Sequence, residues 1–204
     1  MTGGAAAGGE GARLVLASAS PRRRLLLAGA GLRFTVDPAD VEEDVAPGTA
    51  PEAAAEELAE RKARAVADRH RGADRLVIGA DTVVALDRAG GADLLGKPAD
   101  AAGARSMLER LSGSRHRVVT GVAVVRTRDG SCRVGHERTW VTMRPLTAAE
   151  IEAYVASGEW RDKAGGYAIQ ETADAFVTAL EEGGFDNVVG LPVGLTLALI
   201  EQAS

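Results

Sequence analysis

Two long apolar-polar runs, residues 117–127 and 133–143, are separated by a short polar stretch containing Asp129-Gly130. An Asp-Gly step between alternating segments is a strong hairpin signal, and hairpins pair their strands antiparallel. The rest of the chain alternates short apolar strands with helical patterns, so the fold class is α/β. The hairpin adds a constraint, because the sheet cannot be purely parallel. Expected strands fall at residues 13–17, 33–36 and 76–79, the last ending at Asp81. Residues 83–86 continue it or pair back after a turn, with a glycine-rich hairpin tip at 87–93. Helices are expected at 20–30, 51–69, 100–111, 147–157, 173–180 and 192–202. Thr147 with Glu150 three residues on makes a capping box. Residues 37–49 form an acidic loop and 158–172 an irregular glycine-rich stretch.

The 204 residues suit one domain, read as 13–204, preceded by a Gly/Ala-rich tail at 1–12 expected to be disordered. Hydrophobic residues make up 46% of the chain, enough for a normal core, but aromatics only 3%, so Ala, Val, Leu and Ile must build it. The net charge of -5 argues against general nucleic-acid binding. No apolar run approaches the ~20 residues of a membrane span. A single cysteine, Cys132, excludes an internal disulfide and fits a reducing, cytoplasmic setting. Histidines 70, 116 and 136 lack metal-ligand spacing, and no G-x-S-x-G elbow occurs.

Against that acidic background, Arg22, Arg23 and Arg24 follow Ser20-Pro21 directly. Ser20 suits an N-cap and Pro21 the first helical position. Cations in a first turn oppose the helix dipole, each costing roughly 0.3–1 kcal/mol unless an anion offsets it. Free backbone N–H groups make the same place an anion site. Ser18, Ser20, Arg22 and Arg23 therefore read as a phosphate cradle, against the simpler picture of arginines splayed into water. No Walker motif is present.

Gly79-Ala80-Asp81-Thr82 ends an apolar strand, where open α/β sheets place their ligands. Asp81 could hold a divalent cation, accept a proton from water, or merely cap a turn. Glu42-Glu43-Asp44 alone is a solvated acidic loop. Near Asp81 it would let two carboxylates share one metal. Lys97, between Gly96 and Pro98, could reach a phosphate. Lys62 falls on the apolar side of its helix, unusual for lysine unless its stem snorkels. In residues 162–170, paired glycines precede Gln170, whose amide both donates and accepts and can read a base edge. Asn187 and Gly190-Leu191-Pro192 form a turn lining the same cleft.

In order, Leu16-Ala17-Ser18-Ala19-Ser20-Pro21-Arg22-Arg23, Gly79-Ala80-Asp81-Thr82-Val83-Val84, Gly96-Lys97-Pro98, Ser112-Gly113 with His116 and Thr120-Gly121-Val122, the run from Asp162 to Gln170, and the run from Asn187 to Pro192 resemble the Maf family of nucleotide pyrophosphatases, the septum-formation-type proteins. The match spans almost the whole chain. It implies an elongated mixed β-sheet flanked by helices, two lobes and a central cleft, related to the inosine triphosphate pyrophosphatase fold. The implied activity is hydrolysis of a nucleoside triphosphate to monophosphate and pyrophosphate with a divalent cation, Mg²⁺ or Mn²⁺. Arg22, Thr82 and Gln170 match the branch preferring dTTP and UTP, not the sister branch favouring 7-methyl-GTP. The family pattern makes Asp81 the proton acceptor and, with Glu43, a metal ligand. It gives Ser18, Ser20, Arg23, Lys62 and Lys97 to the phosphates. It also implies a homodimer. The chain departs from the pattern in its N-terminal tail, a longer hairpin tip, and Glu171-Thr172 where glycine is common. Competing readings are a nucleotide-binding regulator of cell division with little turnover, and a nucleotidyltransferase dependent on an acceptor.

Overall fold

The computed structural model describes residues 13–204, so the expected tail at 1–12 lies outside the described residues. One mixed seven-stranded sheet organises the described residues. Its strands are β1 (Leu14–Leu16), β2 (Phe34–Val36), β3 (Leu76–Arg88), β4 (Gly91–Leu95), β5 (Arg115–Arg126), β6 (Cys132–Met143) and β7 (Val177–Glu181). The order is β2-β1-β3-β5-β6-β7, with β4 on β3. The β1 strand pairs parallel with β2 and β3, and every other pair is antiparallel. The expected α/β class with a mixed sheet is what forms. The Asp129-Gly130 step does turn β5 into β6, with Gly130 at φ 73°.

One gap in the sheet positions everything that follows. The β3 strand is thirteen residues long and pairs with β5 along most of its length. On its other edge β1 covers only Leu76 to Ile78, and β4 begins at Val84. Residues 79–83 therefore have a strand neighbour on one side only. Residues 83–86 continue β3 and do not turn back.

Among the described residues six α-helices flank the sheet: α1 (Pro21–Gly29), α2 (Pro51–Arg69), α3 (Ala101–Leu111), α4 (Ala148–Ser157), α5 (Phe185–Val189) and α6 (Val193–Ala203). On one face of the inner half, α2 packs Ala59, Ala63 and Val66 against Val15, Val77 and Ala123. On the other, Leu27 of α1 and Leu199 of α6 cover Leu16, Ile78 and Val122. The alternation of these side chains along the strands is the two-residue period of a strand buried on both faces. A separate core joins α3 and α4 to the outer half through Leu108, Leu111, Tyr154, Trp160 and Phe176. The cleft opens between these two lobes.

The helix expected at 173–180 does not form. Thr172–Phe176 makes 3-10 turns, and Val177–Glu181 is β7, pairing antiparallel with β6. Ala173 and Phe176 are drawn into the outer core, and the following residues satisfy the open edge of β6. An unpaired sheet edge outweighs weak local helix propensity.

Candidate active site

The cleft holds about 480 Å³ and is lined by residues of the 16–23, 79–84, 96–98 and 162–170 motifs, with Val188 and Val189 from the 187–192 turn. Ser112, Gly113, His116 and residues 120–122 of the remaining motif, Asn187 and Gly190-Leu191-Pro192 stay off its wall. Ser18, Ser20, Arg22, Arg23, Glu43, Lys62, Asp81, Thr82, Lys97 and Gln170 all border it. Arg24 is exposed and takes no part.

The N-terminus of α1 forms as its sequence dictates. Ser20 caps it, its hydroxyl accepting from the Arg23 N–H at 3.4 Å, and Pro21 starts the helix. The Arg23 side chain then folds back under the helix. Its Nε donates to Gly190 O at 2.8 Å, one terminal nitrogen to Ser18 Oγ at 3.2 Å, and the other to Thr82 Oγ1 at 3.2 Å. Five N–H donors minus three leave two for a ligand. Burial pushes the guanidinium pKa down, Asp81 and Glu43 pull it up, and Arg22 lowers it further. An arginine stays charged throughout the physiological range regardless.

Asp81 stands in the uncovered stretch of β3, 7% exposed. Opposite it is Lys62, also 7% exposed, which α2 carries on its sheet-facing side. Two glycines permit this approach. A Cβ on Gly79 would sit 2.2 Å from Ala59 O, and one on Gly121 2.2 Å from Ala55 O. Alanines at 55, 59 and 63 complete the flat contact, bringing a lysine against Asp81, which lies in the middle of β3 and not at a strand end as its sequence suggests. Lys62 Nζ donates to Asp81 Oδ1 and pairs with Glu43 Oε1 at 2.5 Å. Glu43 Oε2 accepts from Lys97 Nζ at 2.8 Å.

The acidic loop thus does reach Asp81. Arg61 helps hold it there, donating to the carbonyls of Glu42 at 2.7 Å and Asp44 at 3.0 Å, the two residues flanking Glu43. Partial burial alone would raise the Glu43 pKa, but Lys62 and Lys97 together outweigh it and hold the group at about 2. Two carboxylates directed at one ammonium make an oxygen donor pair suited to a divalent cation. Among the described residues no group of three or more His, Cys, Asp or Glu could hold a metal. A pair of carboxylates completed by substrate phosphates is the usual arrangement for Mg²⁺, so the residues fit.

Also on the cleft wall, Arg22 and Gln170 make no side-chain hydrogen bond or ion pair with any described residue. Gln170 is exposed at the end of the glycine-rich segment. That segment is anchored from below: Tyr167 OH bonds His116 Nε2 at 2.7 Å, and Ala168 N donates to Tyr154 OH at 3.2 Å. Burial lowers the His116 pKa to about 4, so the ring is neutral at pH 7. Lys163, within the 162–170 run, also lines the cleft and pairs with Glu171 at 3.3 Å. The glutamate that replaces a common glycine thus helps fix the turn carrying Gln170. Thr120 and Asn187 lie beneath the cleft, 0% exposed, and bond to its residues. Both stand in the sequence motifs, but no spacing gives either its role, because both work through contacts between distant segments.

Fold and cleft define an open α/β protein that gathers fixed cations and two carboxylates around a space fit for a polyphosphate. A family model described as Maf-like protein matches residues 13–203. A Myxococcus xanthus protein named dTTP/UTP pyrophosphatase is 53% identical over 190 residues, covering 93% of this chain and 92% of its own. Relatives with the same name are 51% identical over 181 residues in Moorella thermoacetica (89% and 90% covered) and 50% over 188 in Rhodospirillum rubrum (92% and 86%). The chain belongs to the Maf family.

Proposed function

We propose that this protein is a nucleoside triphosphate pyrophosphatase, hydrolysing dTTP and UTP between the α- and β-phosphates to the monophosphate and pyrophosphate. The observation that carries the reading is the Glu43–Lys62–Asp81 bridge beside Arg23, a grouping of two carboxylates and several cations in one cleft that supports metal and phosphate binding. Relatives about half identical over nearly their whole length carry the name dTTP/UTP pyrophosphatase.

The chain's residues divide the work by position. Arg23, Lys62 and Lys97 offer charge to the phosphates, with Ser18, Ser20 and the α1 backbone completing the cradle. The 480 Å³ cleft is also lined by Arg22 and Gln170, which have no hydrogen-bond or ion-pair partners of their own among the described residues. There Gln170 can meet the N–H and a carbonyl of a uracil or thymine edge. Arg22, a pure donor, favours a carbonyl over the amino group of cytosine. Thr82 belongs to this specificity set by family resemblance. Asp81 takes the proton of the attacking water or orients that water. A Mg²⁺ or Mn²⁺ ion held by Glu43 and Asp81 would supply neutralisation of developing phosphate charge. We also read the protein as a cytoplasmic homodimer. No helix among the described residues is long and apolar enough to cross a membrane.

Steady-state kinetics over dTTP, UTP, CTP and the purine triphosphates, with Mg²⁺ or Mn²⁺, test this reading. The expected order puts dTTP and UTP well ahead. Asp81→Asn is expected to cut kcat by about 10²–10⁴-fold while the protein stays folded. Near-normal turnover in that variant removes Asp81 from the chemistry. Tight nucleotide binding without turnover in the native protein instead favours a nucleotide-responsive regulator.

A further inference from the structure

Beneath Arg23 runs a line of hydrogen bonds that ends in the core: Arg23 Nη2 to Thr82 Oγ1 at 3.2 Å, Thr82 Oγ1 to Thr120 Oγ1 at 2.9 Å, and Thr120 Oγ1 to Asn187 O at 2.8 Å. Counting hydrogens fixes its direction. A hydroxyl has one hydrogen, and a carbonyl oxygen can only accept. Thr120 therefore spends its hydrogen on Asn187 O and must accept from Thr82. Thr82 in turn spends its hydrogen on Thr120 and presents only lone pairs to Arg23. The far end is pinned as well. Asn187 Nδ2 donates to Val118 O at 3.1 Å and Thr139 Oγ1 at 2.8 Å, tying α5 to β5 and β6. The turn fixed in this way also presents Gly190 O, which accepts from Arg23 Nε.

We propose that Thr120 is a positioning residue for phosphate binding: it sets the hydroxyl of Thr82 as an acceptor and so holds the Arg23 fork with its two remaining N–H groups toward the phosphates. In that arrangement Thr82 has no hydrogen to offer a base, and its influence on the substrate passes through Arg23.

The proposal rests on Arg23 gripping phosphate in the reaction above, and its test reads binding without turnover. Calorimetry with inorganic pyrophosphate and Mg²⁺ is run on the native protein, Thr120→Val, Thr120→Ser, Thr82→Val and the double valine variant. Thr120→Val is expected to weaken pyrophosphate roughly tenfold, the scale of one lost hydrogen bond to a charged group. Thr120→Ser keeps the hydroxyl and binds as the native protein does. Thr82→Val leaves the Thr120 to Asn187 bond in place and is expected to match the Thr120→Val loss. In the double variant the losses do not add. Native affinity in Thr120→Val or in Thr82→Val overturns the relay. So do fully additive losses, which would mean that each threonine acts independently. Native pyrophosphate affinity in a protein that fails to hydrolyse dTTP would sink the reaction and leave the relay to be judged on its variants.

Discussion

At the scale of single residues, two arginines adjacent in sequence have opposite fates. Arg23 is committed to three internal acceptors and keeps two N–H groups uncommitted. Arg22 is half-buried with no side-chain hydrogen bond to any described residue. The wrong-sign charge at the start of α1 is legible in the sequence as a call for an anion, and the phosphate cradle follows from it. The division of labour between the two arginines is not legible. It depends on Gly190 and Thr82, which arrive from 167 and 59 residues away. Glu43 teaches the same lesson. As one of three acids in a loop it reads as solvated, and only the return of that loop onto Lys62 and Lys97 makes it a site residue. Gln170 yields the sharpest prediction at this scale. Gln170→Ala is expected to narrow the kcat/KM gap between UTP and CTP by roughly 10-fold, the worth of one or two base-edge hydrogen bonds. An equal loss on both nucleotides would make Gln170 a structural residue.

At the scale of elements, the site depends on how closely α2 lies on the sheet. Lys62 reaches Asp81 because Gly79 and Gly121 carry no Cβ beneath Ala55, Ala59 and Ala63. The apolar face of this helix, including Lys62 among its buried positions, is readable from the 3.6-residue period. The two glycines facing it are not, since their role is to make room for a distant backbone. Gly121→Ala would put a methyl 2.2 Å from Ala55 O, so the helix must lift. We expect a stability loss of about 1–3 kcal/mol by denaturant titration, together with weakened turnover as Lys62 leaves Asp81. A stable, fully active Gly121→Ala protein would show that the close contact is not needed. The misread helix at 173–180 belongs to this scale as well. A five-residue strand at a sheet edge is decided by its partner, β6, and carries little signal of its own.

At the scale of the whole molecule, the two lobes are tied across the cleft by β3 and β5, and His116 sits where the outer lobe meets the substrate-side segment. Its folded pKa of about 4 is below the ordinary 6.5, because the buried ring resists charging. The unfolded chain binds the extra proton first, so this contribution to stability is complete above pH 6.5 and is lost as pH falls toward 4. Between pH 6.5 and 5 the expected loss is on the order of 1–2 kcal/mol. His116→Gln can still bond Tyr167 but does not titrate, and chemical denaturation should show a flatter pH profile for it. An unchanged slope would assign the pH dependence elsewhere. Glu43 acts in a separate window, below the ordinary carboxylate value of 4.5 and down to about 2, where its ties to Lys62 and Lys97 are lost on protonation. The α/β class and the mixed sheet are legible at this scale from the Asp129-Gly130 hairpin. The gap over residues 79–83 that becomes the active cleft is not, because it depends on where two other strands stop and start.

The central claim is cleavage between the α- and β-phosphates in this cleft. Identification of the products formed from dTTP by the purified protein with Mg²⁺ or Mn²⁺ tests it most directly. Cleavage at that bond yields dTMP and pyrophosphate in equal amounts; dTDP with free phosphate, or nucleotide bound and returned intact, would overturn it.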